Sequence, residues 1–321
     1  MNGNPEMTAL ITGASSGIGY TSVARMVQSG WMVFATVRKQ QDGDKLRSEL
    51  GEKVIPVLLD VTDRASVVAA AEKVRANLSG RGLDGLVNVA GVGRMQAVEY
   101  MSAHDLSEIF DINLFGQIAV TQAFLPLLRI ARGRIVNITS VGAHIAIPFG
   151  SLINASKSAF NIFSDTLRLE LHPFGIHVST IEPGAIRTPA VNKTLGDVEG
   201  VIRSLSPEGV EHYADMLRGF AKRAYSREMN GSPPEVVARA VHHALTARVP
   251  RTRYRVGKHA RLLTTMAAVL PDRTLDTVRF AITGMPQKFG ALAPVEVRRS
   301  RNKTLPKSPR VTAPSKMTGS G

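Results

Sequence analysis

The sequence predicts an α/β fold, a doubly wound parallel sheet forming a single domain with a C-terminal helical extension. Three observations carry this. Short apolar runs alternate with helical patterns from Thr8 to Gly184, as expected of successive βαβ units. The first apolar run opens into a glycine-rich turn at the start of a helix. The chain has 321 residues, 44% of them hydrophobic, enough for one large core, and no internal repeat or separate second domain is visible. Right-handed crossovers then give an expected strand order of 3-2-1-4-5-6-7.

The elements follow in order. Thr8 to Thr12 reads as a short buried strand that runs into Gly13-Ala14-Ser15-Ser16-Gly17-Ile18-Gly19 and an amphipathic helix ending near Gly30, a natural residue beyond a helix end. A strand, a glycine turn and a helix start together make a phosphate site. The glycines let the backbone approach a pyrophosphate, and the free N–H groups and dipole of the helix favour its charge. The plainer reading is a tight turn without a ligand. The second strand, Trp31 to Thr36, ends in Val37-Arg38-Lys39, with no acid until Asp42. A dinucleotide site for NAD places an acid here on the ribose 2′-hydroxyl, and one for NADP a cation on the 2′-phosphate. Arg38, with Ser16, therefore points to NADP, against an ordinary solvated Arg-Lys pair.

Val54 to Leu59 is the third strand, followed by Asp60-Val61-Thr62 and a helix from Asp63 to about Leu78. Leu83 to Val89 is the fourth and ends Asn88-Val89-Ala90-Gly91. A helical stretch from Ser102 to about Ala131 contains Asn113 and Gly116. An internal Asn costs helix propensity, so Asn113 marks either a working side chain or a kink. Ile135 to Ile138 is the fifth strand, with Ser140 at its carboxyl end. The pattern turns helical from Ser151, and Lys157 falls on the first turns, on the same face as Ile153 four residues earlier. Ala159, Phe160, Phe163, Leu167 and Leu171 give this helix its apolar stripe as far as His172. His177 to Ile181 is the sixth strand and ends Glu182-Pro183-Gly184-Ala185-Ile186-Arg187-Thr188. Residues 189–230 break the alternation but hold an amphipathic stretch from Val210 to Ala224. Pro233-Pro234 starts a helix through Ala247, and Tyr254 to Gly257 is the last strand. Arg261 to Leu270 and Leu275 to Ile282 are apolar helical pieces split by Pro271. From about Ala291 the Pro, Lys, Arg, Ser and Thr content signals disorder.

Ser140 followed thirteen residues later by Ile153 and then Lys157, together with Thr12-Gly13-x-x-x-Gly17-x-Gly19, resembles the short-chain dehydrogenase/reductase family. The resemblance covers about residues 7 to 257 and implies a Rossmann domain over 1–257, with 189–230 as a substrate lid, 258–290 as the helical extension and 291–321 as a disordered basic tail. It also implies roles. Thr12, Gly13, Ser15, Ser16, Gly17, Ile18 and Gly19 would surround the cofactor phosphates. Asp60 and Val61 would face the adenine. Asn88, Ala90 and Gly91, in a variant of the family's Asn-Asn-Ala-Gly, would lie beside the cofactor. Pro183, Gly184, Ile186 and Thr188 would meet the nicotinamide end. Lys157 would bind the nicotinamide ribose, Ser140 would hold the substrate oxygen, and Asn113 would hold a water near the lysine. The catalytic set implied is Asn113, Ser140 and Lys157, with no metal.

In the family a tyrosine at position 153 supplies or removes the proton that accompanies hydride transfer, and here that position is Ile153. No tyrosine lies between Tyr100 and Tyr213 to replace it. Loss of a positioned acid costs about 10²–10⁴ in rate, while a cofactor site need not change. His144, four residues past Ser140, or a water is the substitute proton source the sequence offers. Three readings follow: an NADP-dependent oxidoreductase acting on a lipophilic alcohol or ketone, a catalytically silent NADP-binding protein, or a basic-tailed membrane or nucleic-acid adaptor.

The absence of cysteine excludes disulfides, thiolate metal sites and cysteine nucleophiles. The start lacks the pattern of a signal peptide, and no apolar run reads as long enough to span a bilayer. The expectation is a cytoplasmic protein. The net charge of +14 is concentrated: residues 1–247 carry 24 Lys+Arg against 23 Asp+Glu, and residues 248–321 carry 16 against 3. Such a segment binds nucleic acid, acidic lipid or acidic protein, or is a solvated tail; joined to the apolar helical pieces it suits peripheral contact with an anionic membrane. The partners expected are a small-molecule substrate and a second copy of the chain in a homo-oligomer, with nucleic acid the least favoured.

Overall fold

The computed structural model of the chain describes residues 6–292. Seven strands, β1 (Thr8–Ile11), β2 (Met32–Val37), β3 (Val54–Leu58), β4 (Gly85–Asn88), β5 (Arg134–Ile138), β6 (His177–Pro183) and β7 (Arg253–Val256), form one sheet. Every pairing is parallel and the order is β3-β2-β1-β4-β5-β6-β7, as expected. The order reverses between β1 and β4, and a ligand crevice opens at such a reversal, beyond the carboxyl ends of the strands.

The helices are α1 (Gly17–Gln28), α2 (Gln40–Leu50), α3 (Arg64–Leu78), α4 (Ala103–Phe110), α5 (Gly116–Ala131), α6 (Ser151–Leu171), α7 (Pro189–Leu195), α8 (Val198–Arg203), α9 (Pro207–Met229), α10 (Glu235–Thr246), α11 (Ala260–Val269) and α12 (Asp272–Thr283). Helices cover both faces of the sheet, which is why its strands are apolar throughout rather than alternating. On one face Val23, Met26, Leu46, Val237 and Val241 from α1, α2 and α10 close over β1 and β2. On the other Val74, Val120, Phe124, Leu128 and Leu167 from α3, α5 and α6 do the same. Phe34 and Phe124 are fully buried, each stabilising the fold by about 1.5–3 kcal/mol.

Three features differ from the sequence expectation. Helix α2 was not foreseen, because Gln40–Leu50 is polar and buries only Gly43 and Leu46. Gly43 is pressed so closely on Pro56 that an added Cβ would stand 2.7 Å from the proline ring. The single helix expected over 102–131 is α4, one π turn at Asp111–Phe115, and α5. Finally, Ala103–Ala131 is long and apolar enough to cross a membrane by length and composition, with a mean hydropathy of 1.4, which corrects the expectation that no run is. Its residues Ile109, Asn113, Val120, Phe124 and Leu128 are buried in the fold, as in a core helix.

Residues 189–230 fold into α7, α8 and α9 and share a third core with the segment after β4: Met95, Phe149, Ile202, Leu217 and Phe220. Phe149 meets Tyr213 and Phe220 edge to face at 6.4 and 5.6 Å, the favoured aromatic geometry. Helix α12 packs on α9. The compact body runs to Met285 and the chain from Pro286 is a separate unit. The tail expected to be disordered lies, from residue 293, outside the described residues.

Candidate active site

The carboxyl ends of β1, β4, β5 and β6 deliver four loops to one crevice. After β1, Gly13 and Gly17 take φ of +63° and +54°, a region open to glycine at little cost. A Cβ on Gly19 would collide with the Gly13 carbonyl. The turn is therefore bare backbone wrapped on the start of α1. The Ser16 side chain caps nothing, so its hydroxyl and those first amides remain for an anion. Ser15 and Ser16 are exposed, and Ile18 lines the crevice.

After β2, Arg38 is exposed and makes no hydrogen bond or ion pair among the described residues; its charge acts on Asp60. The Asp60 carboxyl is held below its usual range by the Thr62 N–H at 2.9 Å and the Thr62 hydroxyl at 2.7 Å, with Arg38 assisting. Val61 is buried at 8% exposure, which leaves only its backbone to face a ring.

Two of the residues expected at the cofactor have side chains bonded within the fold. The Thr12 hydroxyl is fully buried and accepts the Val89 and Ala90 N–H groups at 2.8 and 3.1 Å. Asn88 is 1% exposed and donates to Thr121 Oγ1 and Asn137 Oδ1 at 3.0 and 2.8 Å. Both side chains hold the turn after β4 in place rather than reach a ligand. Ala90 stands against Gly13, and Gly91 lines the crevice.

Asn113 lies in the π turn, between the segment after β4 and α6. Its side chain is fully buried, accepts the Val92 N–H at 2.8 Å, and donates to Val92 O and Ser156 Oγ at 2.9 and 3.1 Å. It ties the π turn to the segment after β4 and to α6. The kink that was the alternative reading is what the backbone adopts.

Ser140 and Lys157 do come together, in a cavity of about 360 Å³ that both line. The Ser140 oxygen accepts the Gly142 N–H at 3.0 Å, leaving its proton free to point into the cavity. Lys157 is buried at 7% exposure and donates to Ile138 O at 3.0 Å. Burial away from water lowers its pKa to about 8. Ile153 lines the same cavity, with Ile145, Ile147, Phe149, Val191 and Phe220. Pro183, Gly184, Ile186 and Thr188 form the wall beyond β6.

His144 turns away from this cavity. Its Nε2 lies 2.7 Å from Glu182 Oε1, and His144 is not among the residues that line the cavity. Glu182 is fully buried and also receives Asn161 at 3.1 Å, Arg255 at 3.3 Å and Arg253. Burial pushes its pKa up, but the hydrogen bonds and charges of His144 and Arg253 outweigh this and hold it at about 2.

The sequence reading missed two cavity residues. Asn154 follows the empty tyrosine position and donates to Ile145 O at 3.0 Å. Glu228 reaches in from α9, and burial raises its pKa. Glu228 carries no local signal, because α9 is placed by tertiary packing; Asn154 was findable as a neighbour of Ile153.

The family described as short chain dehydrogenase matches residues 7–198. Retinol dehydrogenase 5 of Mus musculus is 38% identical over 276 residues, covering 84% of this chain and 86% of that relative. Two similar solved structures carry cofactors. The closed form of serine dehydrogenase complexed with NADP+ is 29% identical, with a TM-score of 0.64, covering 78% of this chain and 95% of that one. A 3-ketoacyl-(acyl-carrier-protein) reductase of Brucella melitensis complexed with NADH is 25% identical, with a TM-score of 0.60, covering 75% and 91%.

Proposed function

The chain belongs to the short-chain dehydrogenase family, and from that premise we propose that it is an NADP-dependent oxidoreductase exchanging a hydride with a lipophilic alcohol or ketone, at a rate held down by Ile153. The observation that carries this is the meeting of Ser140 and Lys157 in one apolar cavity at the carboxyl edge of the sheet. The chain fits a dinucleotide: the turn after β1 is bare glycine backbone with an uncommitted Ser16 hydroxyl, and Gly91 and Lys157 line the same crevice. When bound, the nicotinamide supplies or takes the hydride.

The protein's part is to bind, orient and exclude water. Arg38, free of any carboxylate bond, meets a 2′-phosphate. Lys157 donates to the ribose, and Ser140 donates to the substrate oxygen. The walls from α7 and α9 keep water from the reacting carbon and select an apolar substrate, in keeping with a relative named as a retinol dehydrogenase. With Ile153 apolar and His144 bonded to Glu182, the proton on the substrate oxygen comes from a water held by Lys157. The silent-binder reading is favoured by the same Ile153. The protein meets membrane surfaces peripherally: Leu262 and Val269 on α11 are 58% and 68% exposed, beside cationic Arg261.

Titration with NADPH and NADH, followed by a screen of carbonyl substrates by NADPH absorbance, tests the reading. NADPH should bind at least tenfold more tightly than NADH, and Arg38→Asp should reverse the order. Equal affinities in the unmodified protein would remove the NADP assignment.

A further inference from the structure

Lys157 stands in unusual surroundings for a lysine. It is 7% exposed, yet it lines the apolar cavity. Its Nζ makes one hydrogen bond among the described residues, to the Ile138 carbonyl of β5 at 3.0 Å. From α6 itself the Phe160 ring lies 6.0 Å away. From the π turn comes Asn113, whose Oδ1 is already taken by the Val92 N–H. After β4 comes Gly91, where an added Cβ would stand 3.3 Å from Nζ, so the bare backbone packs closely on one side of the amine while its other side lines the cavity. None of these neighbours is a carboxylate, and burial alone moves the lysine's pKa. Four residues earlier on the same face, Ile153 offers no hydroxyl to occupy the amine.

We propose that Lys157 is a nucleophilic amine that captures apolar aldehydes entering this cavity as a reversible imine. A desolvated lysine in an apolar pocket is the usual setting for imine chemistry. The nitrogen lone pair adds to the aldehyde carbon to give a carbinolamine. Water then leaves, its oxygen from the aldehyde and its two hydrogens from the amine, and a C=N bond remains. Nothing is oxidised or reduced, so no further reactant is needed. The apolar walls select the aldehyde, and exclusion of water slows hydrolysis. A pKa of about 8 adds to the geometry. At pH 7 roughly one Lys157 in ten is the free amine, against roughly one in 2,500 for an ordinary exposed lysine.

The inference stands apart from the hydride-transfer reading, although both use the same amine. The full-length protein is incubated at pH 7 with decanal and sodium cyanoborohydride, which converts an imine to a stable secondary amine, and its peptides are mapped by mass spectrometry. Labelling of Lys157 should exceed that of exposed Lys39, Lys45 and Lys193, none of which lines the cavity, by at least tenfold. Lys157→Met and Lys157→Arg should each abolish the dominant adduct without raising labelling elsewhere. Labelling spread evenly over the surface lysines, or a dominant adduct that survives in Lys157→Met, would overturn the proposal. Mapping the unmodified protein decides the matter even where a variant folds poorly. Repeating the reaction with saturating NADP+ separates the two readings. Protection of Lys157 supports both, and labelling that persists keeps aldehyde capture while removing Lys157 from the cofactor site.

Discussion

Replacing Ile153 with tyrosine restores the one group the site lacks, and its effect can be bounded. A positioned acid contributes about 10²–10⁴ in rate, or about 2.7–5.5 kcal/mol off the barrier. The ring does not enter without adjustment. Ile153 Cδ1 and the Thr194 side chain already crowd Gly93, where an added Cβ would find them at 3.0 to 3.1 Å. A tyrosine must therefore point along the cavity toward Lys157 or push Thr194 on α7 aside. Overpacking of this kind costs about 1–3 kcal/mol. Setting about 1.4 kcal/mol of that cost against the low end of the gain leaves roughly a tenfold increase as the floor. Reduction of long-chain aldehydes and ketones, followed by NADPH absorbance at saturating cofactor, measures it. His144→Ala should leave the rate of either protein within about twofold, provided the fold is intact, because the imidazole faces Glu182. Ile153→Tyr protein that melts normally, binds NADPH as before and reduces nothing faster would refute the reasoning, since the tyrosine would then not be the missing component.

Three further outcomes follow from the buried charges and the exposed helices. Glu182 has a folded pKa of about 2 against an ordinary 4.5, so its contribution to stability is complete above pH 4.5 and is lost as pH falls toward 2. This amounts to about 3 kcal/mol, and urea denaturation of Glu182→Gln should show a correspondingly flatter acid limb and lower stability at pH 7. Lys157 instead destabilises the fold at pH 7, because its folded pKa of about 8 lies below the ordinary 10.5 and burial penalises the charged amine. The unmodified protein should therefore gain stability as pH rises from about 8 to 10.5. Lys157→Met should be more stable at pH 7 by about 2 kcal/mol after loss of the Ile138 bond, and inactive. Sedimentation with anionic vesicles at low salt should carry down the unmodified protein, and Leu262→Glu with Val269→Glu should leave it in the supernatant; unmodified protein that stays in solution would end the membrane reading.

The fold was legible because its signals are local. Every strand of the sheet was foreseen within about two residues, since buried parallel strands are short apolar runs and Gly13, Gly17 and Gly19 mark the first turn. Helix α2 was not, because a surface helix that buries only Gly43 and Leu46 leaves almost no apolar period. The break at Asp111–Phe115 was half visible in Asn113, but sequence alone did not decide between kink and catalysis. At the site, Ser140, Ile153 and Lys157 were placed correctly together by spacing along β5 and α6. Thr12, Asn88 and Asn113 were assigned to a ligand because the residue types fit. Their partners, Val89, Thr121 and Ser156, are distant in sequence, so only the fold reveals the bonds those side chains make. Glu228 was invisible for the same reason.

The central claim is hydride transfer from a bound nicotinamide to a carbonyl carbon in this cavity. It is tested most directly by single-turnover reaction of excess protein with NADPH carrying deuterium at the transferable C4 position and a panel of apolar aldehydes and ketones. The account predicts one deuterium on the carbinol carbon of the product for each NADPH consumed, slowly in the unmodified protein and at least tenfold faster in Ile153→Tyr. Saturable NADPH binding with no deuterium transferred to any carbonyl compound by either protein would contradict it and leave a cofactor-binding protein without oxidoreductase chemistry.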